Sequence, residues 1–390
     1  MNPDRSTKIG LVFSYSLGYC RSVLRGIKEF AETRDDWVFT PVEPDPDAIE
    51  TLRSVHPAGV IAHIYRIDVA ESLLSFGVPV VNVSGVLTDV SFPSVSVDDQ
   101  RIGELAAEHF LERGFENFAF VGHRDHGYSI RRESGYRKRL EPLGYSVCSY
   151  HERESAPFNP RGRLWGVDAD VRDWLVGLAR PAAIFAPNDL WGLQLTEVCR
   201  RTALKLPEEI AIVGVDDDDL LCELARPSLS SVALPGERIG VEAAALLDRL
   251  IARPRFKPPK NPLLLSPIDV VTRRSSDVLA IADADVAAAV RYIRNHARDP
   301  IQVEDVLRSV PVSRRLLERK FRSILGVGPG EEIRRARIAL AKSHLSRTEA
   351  PMTEVARLSG FADQRRLAAV FRQETGLTPT AYRARFRRRL

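Results

Sequence analysis

The first 275 residues alternate short apolar segments with longer amphipathic ones. The apolar segments predict strands at Lys8–Phe13, Val38–Val42, Gly59–Ile64, Val78–Val83, Phe118–Gly122, Ala182–Ala186, Ile210–Val215 and Leu263–Val271. The amphipathic segments predict helices between them, for example at Ser22–Glu32, Ile102–Arg113, Leu190–Thr202 and Ile239–Ala252. Strands that alternate with helices in this way require crossover connections, so we expect an α/β domain with parallel sheets covered on both faces.

A change of pattern near residue 273 predicts the division into domains. Residues 8–272 are too many for one sheet of usual size, so we expect two similar lobes. The first lobe would comprise about 8–115 and 233–262, and the second about 116–232 and 263–272. Residues 273–283 have the polarity of a linker, and residues 284–390 form a separate helical domain.

Two segments of the helical domain share one internal pattern. Each has a short helix, a tight turn and a longer helix, at 303–323 and 353–375. A helix-turn-helix of this kind places its second helix in the major groove of DNA. The helix pattern at Gly330–Ser346 lies between the two and would hold them about one DNA turn apart. The apolar positions of the second helices are expected in the core, namely Leu317, Phe321, Leu367 and Phe371.

Charge is divided unevenly along the chain. Residues 276–390 carry 23 Lys and Arg against 13 Asp and Glu, a net charge of +10, whereas the preceding residues have a net charge of −6. A basic segment joined to an acidic body is typical of a polyanion-binding module, although a solvated basic helix face would give the same count. The charge therefore agrees with nucleic-acid binding without establishing it.

Several kinds of site and location are not expected. The four cysteines are scattered without CxxC spacing, so neither structural zinc nor a disulfide framework is predicted. Because no run of about 18 apolar residues and no secretory leader are found, we expect a cytoplasmic protein without membrane contact. A Gly-rich phosphate loop, a GxSxG elbow and metal-spaced histidines are missing, so no catalytic residue, metal or cofactor is predicted.

The helical domain carries an ordered series of marks. They are Ser313, Leu317, Arg319, Phe321, Gly326, Pro329, Arg337, Ile338, Ala341, Ala356, Gly360, Phe361, Asp363, Phe371, Arg372, Gly376, Thr378, Pro379, Tyr382 and Arg383. With these marks, residues from about 285 to 388 resemble the AraC-type DNA-binding domain over its whole length. The resemblance implies a tandem helix-turn-helix that binds an operator in double-stranded DNA.

The same resemblance implies which side chains read the DNA. Base contacts would come from Arg315, Glu318 and Arg319 in the first helix-turn-helix, and from Gln364, Arg365 and Arg366 in the second. Phosphate contacts are expected from Lys320, Arg322, Arg372 and the basic cluster at 383–389. Some relatives carry a base-reading Arg where this chain has Ala369, so no contact is assigned there.

The α/β domain carries a second, more dispersed series of marks. They are Gly26-Ile27, Gly59–Ile61, Pro79–Val81, Val97–Asp99 with Gly103, Arg132 with Gly135-Tyr136, Asn188-Asp189, Gly214–Asp217 and Leu229–Val232. Residues 8–272 resemble the effector-binding domain of LacI/GalR-type repressors, which is itself similar to periplasmic sugar-binding proteins. In this order the two domains resemble the xylose-type regulators of the AraC family. The implied fold class is a two-lobed, periplasmic-binding-protein-like α/β domain followed by an all-α tandem helix-turn-helix domain.

Candidate ligand-binding residues follow from the second resemblance, which implies a small sugar bound between the lobes at the carboxyl ends of their strands. Arg132, Asp189 and Asp216 are the first candidates, since a guanidinium and carboxylates can grip adjacent hydroxyls from both sides. Asp99 and Asp217 are further candidates, although they could instead cap helices or pair across the lobes.

Two aspects of the sugar site are not decided by the sequence. Trp191, Trp165 and Tyr15 could form an apolar wall for the sugar, or they could belong to the core. Where xylose-type relatives carry an acidic residue after the third strand, this chain has His63, so the exact pentose or related sugar is not predicted.

The expected function is that of a sugar-responsive, sequence-specific DNA-binding regulator, an activator of pentose catabolic genes. Sugar binding would close the lobes and change the geometry of a homodimer, so that its DNA-binding domains fit their half-sites. RNA polymerase is a further candidate partner. Two alternatives are a sugar-modifying enzyme with a fused DNA-binding domain, and a constitutive DNA-binding protein whose α/β domain only dimerises.

Overall fold

Two compact units make up the computed structural model of the chain, which describes residues 6–34, 36–88, 90–152, 169–253, 255–258, 261–278, 280–281 and 283–386. The first unit comprises Met1–Glu108 and Asn117–Ser276, and the second comprises His109–Glu116 and Asp277–Leu390. Within the described ranges, no helix has the length and apolar character needed to cross a membrane.

The first unit is an α/β domain. Its strands are β1 (Thr7–Val12), β2 (Trp37–Val42), β3 (Gly59–Ala62), β4 (Val80–Asn82), β5 (Val95–Val97), β6 (Asn117–His123), β7 (Val147–Glu152), β8 (Ala182–Phe185), β9 (Ile210–Asp216), β10 (Ser230–Ala233), β11 (Leu263–Leu265) and β12 (Val270–Val271). Its helices are α1 (Gly18–Ala31), α2 (Pro46–Ser54), α3 (Ile67–Leu74), α4 (Asp99–Leu111), α5 (Gly127–Leu140), α6 (Ala169–Gly177), α7 (Asp189–Arg201), α8 (Asp219–Leu224) and α9 (Gly236–Ala252). The last three residues of α4 are counted with the second unit.

Two sheets define two lobes within this unit. The first lobe has the parallel order β2-β1-β3-β4, and the second has the order β12-β10-β9-β8-β6-β7, in which only the β12 pairing is antiparallel. The central strands are buried on both faces, as a parallel sheet covered by helices requires. Carboxyl ends of parallel strands share one edge of each sheet, and that edge carries the candidate ligand residues.

Close backbone contact between α1 and α9 explains one of the glycine marks of the first lobe. A Cβ atom on Gly26 would lie 1.7 Å from the backbone oxygen of Glu237, and one on Gly240 would lie 2.0 Å from that of Val23. Any side chain at these two positions would force the helices apart. The glycines therefore set the distance between α1 and α9, and Ile27 and Ile239 are buried beside them.

The lobe boundaries differ from the sequence prediction in two places. Helix α4 packs closely on α5 of the second lobe, because a Cβ on Gly103 would lie 2.0 Å from the backbone oxygen of Arg132. The first crossover therefore lies near Asp98–Asp99 rather than near residue 115. The predicted strand Leu263–Val271 is two strands, of which β11 pairs with β5 and β12 pairs with β10. Residues 263–265 thus accompany β5 rather than the second sheet.

The second unit is helical. Its helices are α10 (Ala284–Asn295), α11 (Val303–Arg308), α12 (Arg314–Leu325), α13 (Pro329–Arg347), α14 (Met352–Leu358), α15 (Gln364–Thr375) and α16 (Pro379–Phe386). Helices α11 and α12 form one helix-turn-helix and α14 and α15 form the other, with α13 between them. Ser313 and Asp363 cap the N-termini of α12 and α15, each by accepting a backbone N–H three residues ahead.

Apolar residues of both helix-turn-helices lie in the core of the second unit. Leu317, Phe321, Leu367 and Phe371 are fully buried, as the pattern predicted. The turns after α12 and α15 end at Gly326 and Gly376, both in the left-handed conformation that favours glycine. The outer faces of α12 and α15 are therefore left to polar residues.

The residues predicted as the start of a linker are hydrogen-bonded into the first unit. Ser275 and Ser276 are fully buried. The Ser275 hydroxyl donates to the Ile212 backbone oxygen at 2.7 Å, and the Ser276 hydroxyl lies 2.7 Å from that of Ser230. The polarity of this segment therefore reflects hydrogen bonds to β9 and β10 rather than exposure to solvent.

Candidate functional site

Asp216 is the last residue of β9, at the carboxyl edge of the second sheet. Its backbone has φ of 108° and that of Asp217 has φ of 51°, values that non-glycine residues rarely adopt. Strained backbone of this kind is concentrated at binding sites, where the surrounding structure holds it in place. Among the described residues, the Asp216 side chain makes no hydrogen bond or ion pair, so its oxygens remain free to accept from a ligand.

The protonation of Asp216 reflects its surroundings. Burial raises the pKa of the Asp216 carboxyl to about 7, with Asp218 and Asp99 adding to the rise and Arg132 opposing it. A carboxyl without a hydrogen-bond donor is costly to ionise in a dry site. Hydroxyl donors from a bound ligand would supply the missing stabilisation.

Arg132 lies on α5 with its guanidinium partly engaged. Its Nε donates to Asp99 Oδ1 at 2.9 Å and its Nη1 donates to the Pro187 backbone oxygen. The guanidinium also lies over the Tyr128 ring, 4.8 Å from its centroid. These contacts fix the orientation of a buried cation near Asp216.

The Asp99 carboxylate accepts hydrogen bonds from Arg131 and Arg132. As the first residue of α4, it accepts from Arg132 through Oδ1 and from Arg131 through Oδ2, the latter at 2.8 Å from Nη2. Arg131 Nη2 also donates to the Gly85 backbone oxygen of the first lobe at 2.9 Å. Both carboxylate oxygens of Asp99 therefore serve to position the guanidinium groups.

Asp189 is fully buried and its oxygens are occupied. Oδ1 accepts from the Ser231 hydroxyl at 2.5 Å and Oδ2 accepts from the Asp218 backbone N–H at 2.8 Å. Burial, with a further contribution from Asp216, raises the pKa of its carboxyl well above the ordinary value. These bonds favour a positioning role for Asp189, which holds the loop that follows β9.

The Asp217 carboxylate, like that of Asp189, is engaged within the protein. It pairs with Arg273, whose Nη2 lies 2.7 Å from Asp217 Oδ1, and both side chains are largely buried. Arg273 stands at the beginning of the segment that leads to the helical unit. The loop carrying Asp216 is therefore tied to that segment by an ion pair.

The first lobe contributes His63, which follows β3, and Tyr19 of α1. His63 is 8% exposed, and burial lowers the pKa of its imidazole to about 4, so the ring is neutral at physiological pH. Its buried Nδ1 has no hydrogen-bond partner, and its ring packs between those of Tyr19 and Tyr65. The Tyr19 hydroxyl donates to the Val83 backbone oxygen at 2.7 Å, and burial, with smaller contributions from Asp99 and Asp216, raises the pKa of this hydroxyl well above its ordinary value.

Sequence reasoning noted His63 only as a departure from relatives, and it did not assign Tyr19. The available signal was position, since His63 directly follows a predicted strand at the edge where ligands bind. Tyr15 is half-buried, and its hydroxyl donates to the Leu11 backbone oxygen at 3.4 Å. Trp165 lies outside the described residues.

A cluster of histidines that the sequence reasoning missed lies at the same edge of the second lobe. His123 ends β6, and Asp125 and His126 follow it before α5. One potential metal-ligand atom from each of the three lies within 4.8 Å of the others. Trp191 is buried in the neighbouring core and donates its Nε1–H to His123 Nε2 at 2.9 Å. The signal in the sequence was the two histidines, three positions apart, after a predicted strand.

The first candidate DNA-reading helix is α12. Arg315 and Arg319 are exposed one turn apart on its outer face, with no ion pair among the described residues. Glu318 instead accepts from Arg314 Nε at 3.1 Å. Two guanidinium groups are therefore free for base edges, whereas a base contact by Glu318 would require breaking this ion pair.

The second candidate DNA-reading helix is α15. Gln364, Arg365 and Arg366 are exposed in its first turn, and no side-chain bond joins them to other described residues. The cap of this helix is Asp363, which accepts the Arg366 backbone N–H at 2.8 Å. The three side chains predicted to read bases are thus presented together at the amino end of α15, the end that commonly contacts base edges.

Two of the side chains predicted to contact phosphates bond to other residues of the chain. Lys320 Nζ lies 2.8 Å from Asp283 Oδ2 and 2.5 Å from Asp285 Oδ2, at the beginning of α10. Arg383 Nη2 donates to the Ala350 backbone oxygen at 2.6 Å. A phosphate contact by either side chain would require breaking these interactions, so both contacts stay predictions. Arg322 and Arg372 are exposed, and residues 387–389 lie outside the described part of the chain.

Two protein families match the chain. Residues 107–276 match the periplasmic binding protein-like domain family, and residues 307–385 match a helix-turn-helix domain family. The first match covers the later part of the α/β domain and the second lies within the helical unit, and both agree with the predicted fold class. The order of the domains is the one that the sequence predicted.

Several relatives are similar along almost the whole chain. The xylose operon regulatory protein of Escherichia coli (strain K12) is 29% identical over 385 residues, which cover 96% of each protein. That of Haemophilus influenzae is 28% identical and covers 96% of this chain and 98% of the relative. A solved structure of a xylose-binding transcription activator is 27% identical, with a TM-score of 0.60 and 98% of each chain covered. These relatives are regulators, in agreement with the prediction that the chain is not an enzyme.

Proposed function

We propose that the effector of this chain, a sugar-responsive DNA-binding transcription regulator with a periplasmic-binding-protein-like domain and a helix-turn-helix domain, is a neutral pentose, D-xylose first among the candidates. The observation that carries the proposal is the pair of unmatched polar groups near the carboxyl ends of β3 and β9. His63 offers an unpartnered ring nitrogen, and Asp216 offers two free carboxylate oxygens.

Hydroxyl groups suit both sides of this site. A sugar hydroxyl can donate to Asp216 and another can accept from the Arg132 guanidinium, while a neutral His63 can accept or donate depending on its tautomer. Tyr19, Tyr65 and Tyr128 provide aromatic surface nearby for the C–H face of a sugar ring. A free phosphate or sugar acid fits less well, because the negative charges of Asp99 and Asp216 already lie near the Arg132 guanidinium.

The roles proposed for the remaining acidic residues differ. Arg132 and Asp216 would contact the sugar, whereas Asp99, Asp189 and Asp217 would hold these groups in position through the bonds described above. Arg315, Arg319, Gln364, Arg365 and Arg366 would read the operator. We further propose that the chain acts as a homodimer in the cytoplasm, as an activator that contacts RNA polymerase.

A thermal-shift measurement tests the effector proposal. D-xylose should raise the melting temperature of the wild type, because a ligand that binds only the folded state stabilises it. Asp216→Ala and Arg132→Ala should fold and lose most of this shift. Asp219→Ala, at the exposed first residue of α8 and three positions from Asp216, is the matched control and should keep it. Equal shifts in Asp216→Ala and Asp219→Ala would show that the sugar binds elsewhere, and a response only to other sugars would reassign the effector.

A further inference from the structure

His123 and His126 bring two imidazole rings together at the carboxyl edge of β6. Their ring centroids are 4.2 Å apart, and Asp125 lies between them in the chain. The Nδ1 atoms of both rings are buried and have no well-aligned hydrogen bond. His126 Nδ1 has no partner, and His123 Nδ1 faces the Glu152 carboxylate at 3.1 Å without a well-aligned hydrogen bond, which is unusual because a buried polar atom ordinarily makes one.

We propose that His123, Asp125 and His126 form a binding site for a divalent transition-metal cation such as Zn²⁺. Imidazole nitrogen and carboxylate oxygen are ligands that Zn²⁺ accepts at about 2.0–2.2 Å. The candidate ligand atoms lie within 4.8 Å of one another, so small side-chain rotations bring all three to bonding distance of one ion. Three protein ligands leave one tetrahedral position open to water.

Glu152 can complete the site. It is the last residue of β7, the strand paired with β6, and its Oε2 lies 3.1 Å from His123 Nδ1. This contact lacks the alignment of a hydrogen bond, which leaves the carboxylate free to turn toward a cation. A fourth ligand or an outer carboxylate at this position would strengthen the binding of the metal.

Metal binding has a consequence for Trp191. His123 Nε2 accepts the Trp191 N–H, so its ring proton resides on Nδ1 in the metal-free protein. Coordination through Nδ1 moves this proton to Nε2 without net proton release, and Nε2 can then no longer accept from the indole. Trp191 must lose this hydrogen bond, so its environment changes when the cation binds.

The connection from Trp191 to the edge of the site is short. Trp191 lies in the first turn of α7, and its backbone N–H donates to the side chain of Asn188, which in turn donates to the Tyr128 hydroxyl at 3.2 Å. Tyr128 carries the Arg132 guanidinium on its ring face. The cation site is therefore placed to affect the orientation of Arg132, although its existence does not depend on which sugar binds.

Zinc titration of the full, untagged chain tests the proposal. Calorimetry should give one Zn²⁺ bound per chain, and tryptophan emission should change in parallel. His126→Ala and, as a milder variant, Asp125→Asn should weaken binding by at least about tenfold. His296→Ala is the matched control, since His296 pairs with Asp299 at 3.0 Å without a second imidazole, and it should bind like the wild type.

Trp191→Phe separates the two parts of the proposal. This variant should still bind Zn²⁺ while losing the change in emission. Zinc affinity that is equal in the wild type, His126→Ala and Asp125→Asn would overturn the site, as would the absence of binding to the wild type. An emission change that persists in Trp191→Phe would overturn the coupling to the indole.

Discussion

At the scale of single residues, two carboxyl groups near the end of β9 have opposite surroundings. Asp216 has no hydrogen-bond partner among the described residues, whereas Asp189 accepts from Ser231 and from the Asp218 backbone. Sequence position alone could not distinguish them, because both directly follow or end a strand at the same edge. The distinction depends on long-range hydrogen bonds from β10 and from the loop after β9.

Ionisation of Asp216 should make the sugar-free protein less stable as the pH rises. Its pKa is about 7 in the folded protein, above the ordinary 3.8, so the folded state retains a proton that the unfolded state has released. This contribution is fully present below pH 4 and is lost as the pH rises through 7. Asp216→Asn removes it.

Denaturant unfolding of both proteins from pH 4 to pH 8 measures this contribution. The stability of Asp216→Asn relative to the wild type should increase across this range, by up to a few kcal/mol, since a tenfold change in proton affinity corresponds to ~1.4 kcal/mol. The subtraction cancels the titration of groups that do not interact with Asp216. A difference that does not change with pH would show that Asp216 titrates normally.

Replacing Asp189 should instead damage the fold. Asp189→Ala leaves the Ser231 hydroxyl and the Asp218 N–H without their acceptor in a buried place, which costs about 1–3 kcal/mol for each group. We expect the melting temperature without sugar to fall markedly in Asp189→Ala and to change little in Asp219→Ala. Loss of the sugar response at unchanged stability would make Asp189 a direct sugar contact.

At the scale of elements, the pattern of apolar positions predicted the long helices well. The central strands β1, β3, β8 and β9 also follow the predicted apolar segments within a few residues. Strands β5, β7 and β10 were missed. Strand β7 is a half-buried edge strand with a polar sequence, and β10 begins with two serines whose hydroxyls serve buried hydrogen bonds. A strand whose buried polar residues hydrogen-bond to partners distant in the sequence does not show the apolar pattern by which strands were predicted.

Helices α12 and α15 give the prediction for DNA. Arg315→Ala or Arg319→Ala should cost about 1–3 kcal/mol at a selected operator and reduce discrimination at individual base pairs. Arg322 is exposed on α12. Arg322→Ala should weaken binding to all DNA sequences equally and should reduce the salt dependence of binding. Competition assays with single-base operator variants distinguish the two outcomes. If Arg315→Ala weakens binding to all operator variants equally, Arg315 contacts a phosphate rather than a base.

At the scale of the whole molecule, the connection between the domains is shorter than its sequence predicted. Residues 273–276 are hydrogen-bonded to β9 and β10, and Arg273 pairs with Asp217, the neighbour of Asp216. Only residues 277–283 then separate the α/β domain from α10. The Asp217–Arg273 ion pair therefore ties the loop after β9 to the beginning of this connection.

Sugar binding and operator binding should be thermodynamically linked in this molecule. The most direct measurement is the affinity of the full chain for D-xylose, titrated with and without its selected operator DNA. Linkage requires that DNA change sugar affinity by the same factor by which sugar changes DNA affinity, typically about 5- to 150-fold. We expect tighter xylose binding on operator DNA and no change on unrelated DNA. Equal xylose affinity with and without the operator would contradict the account.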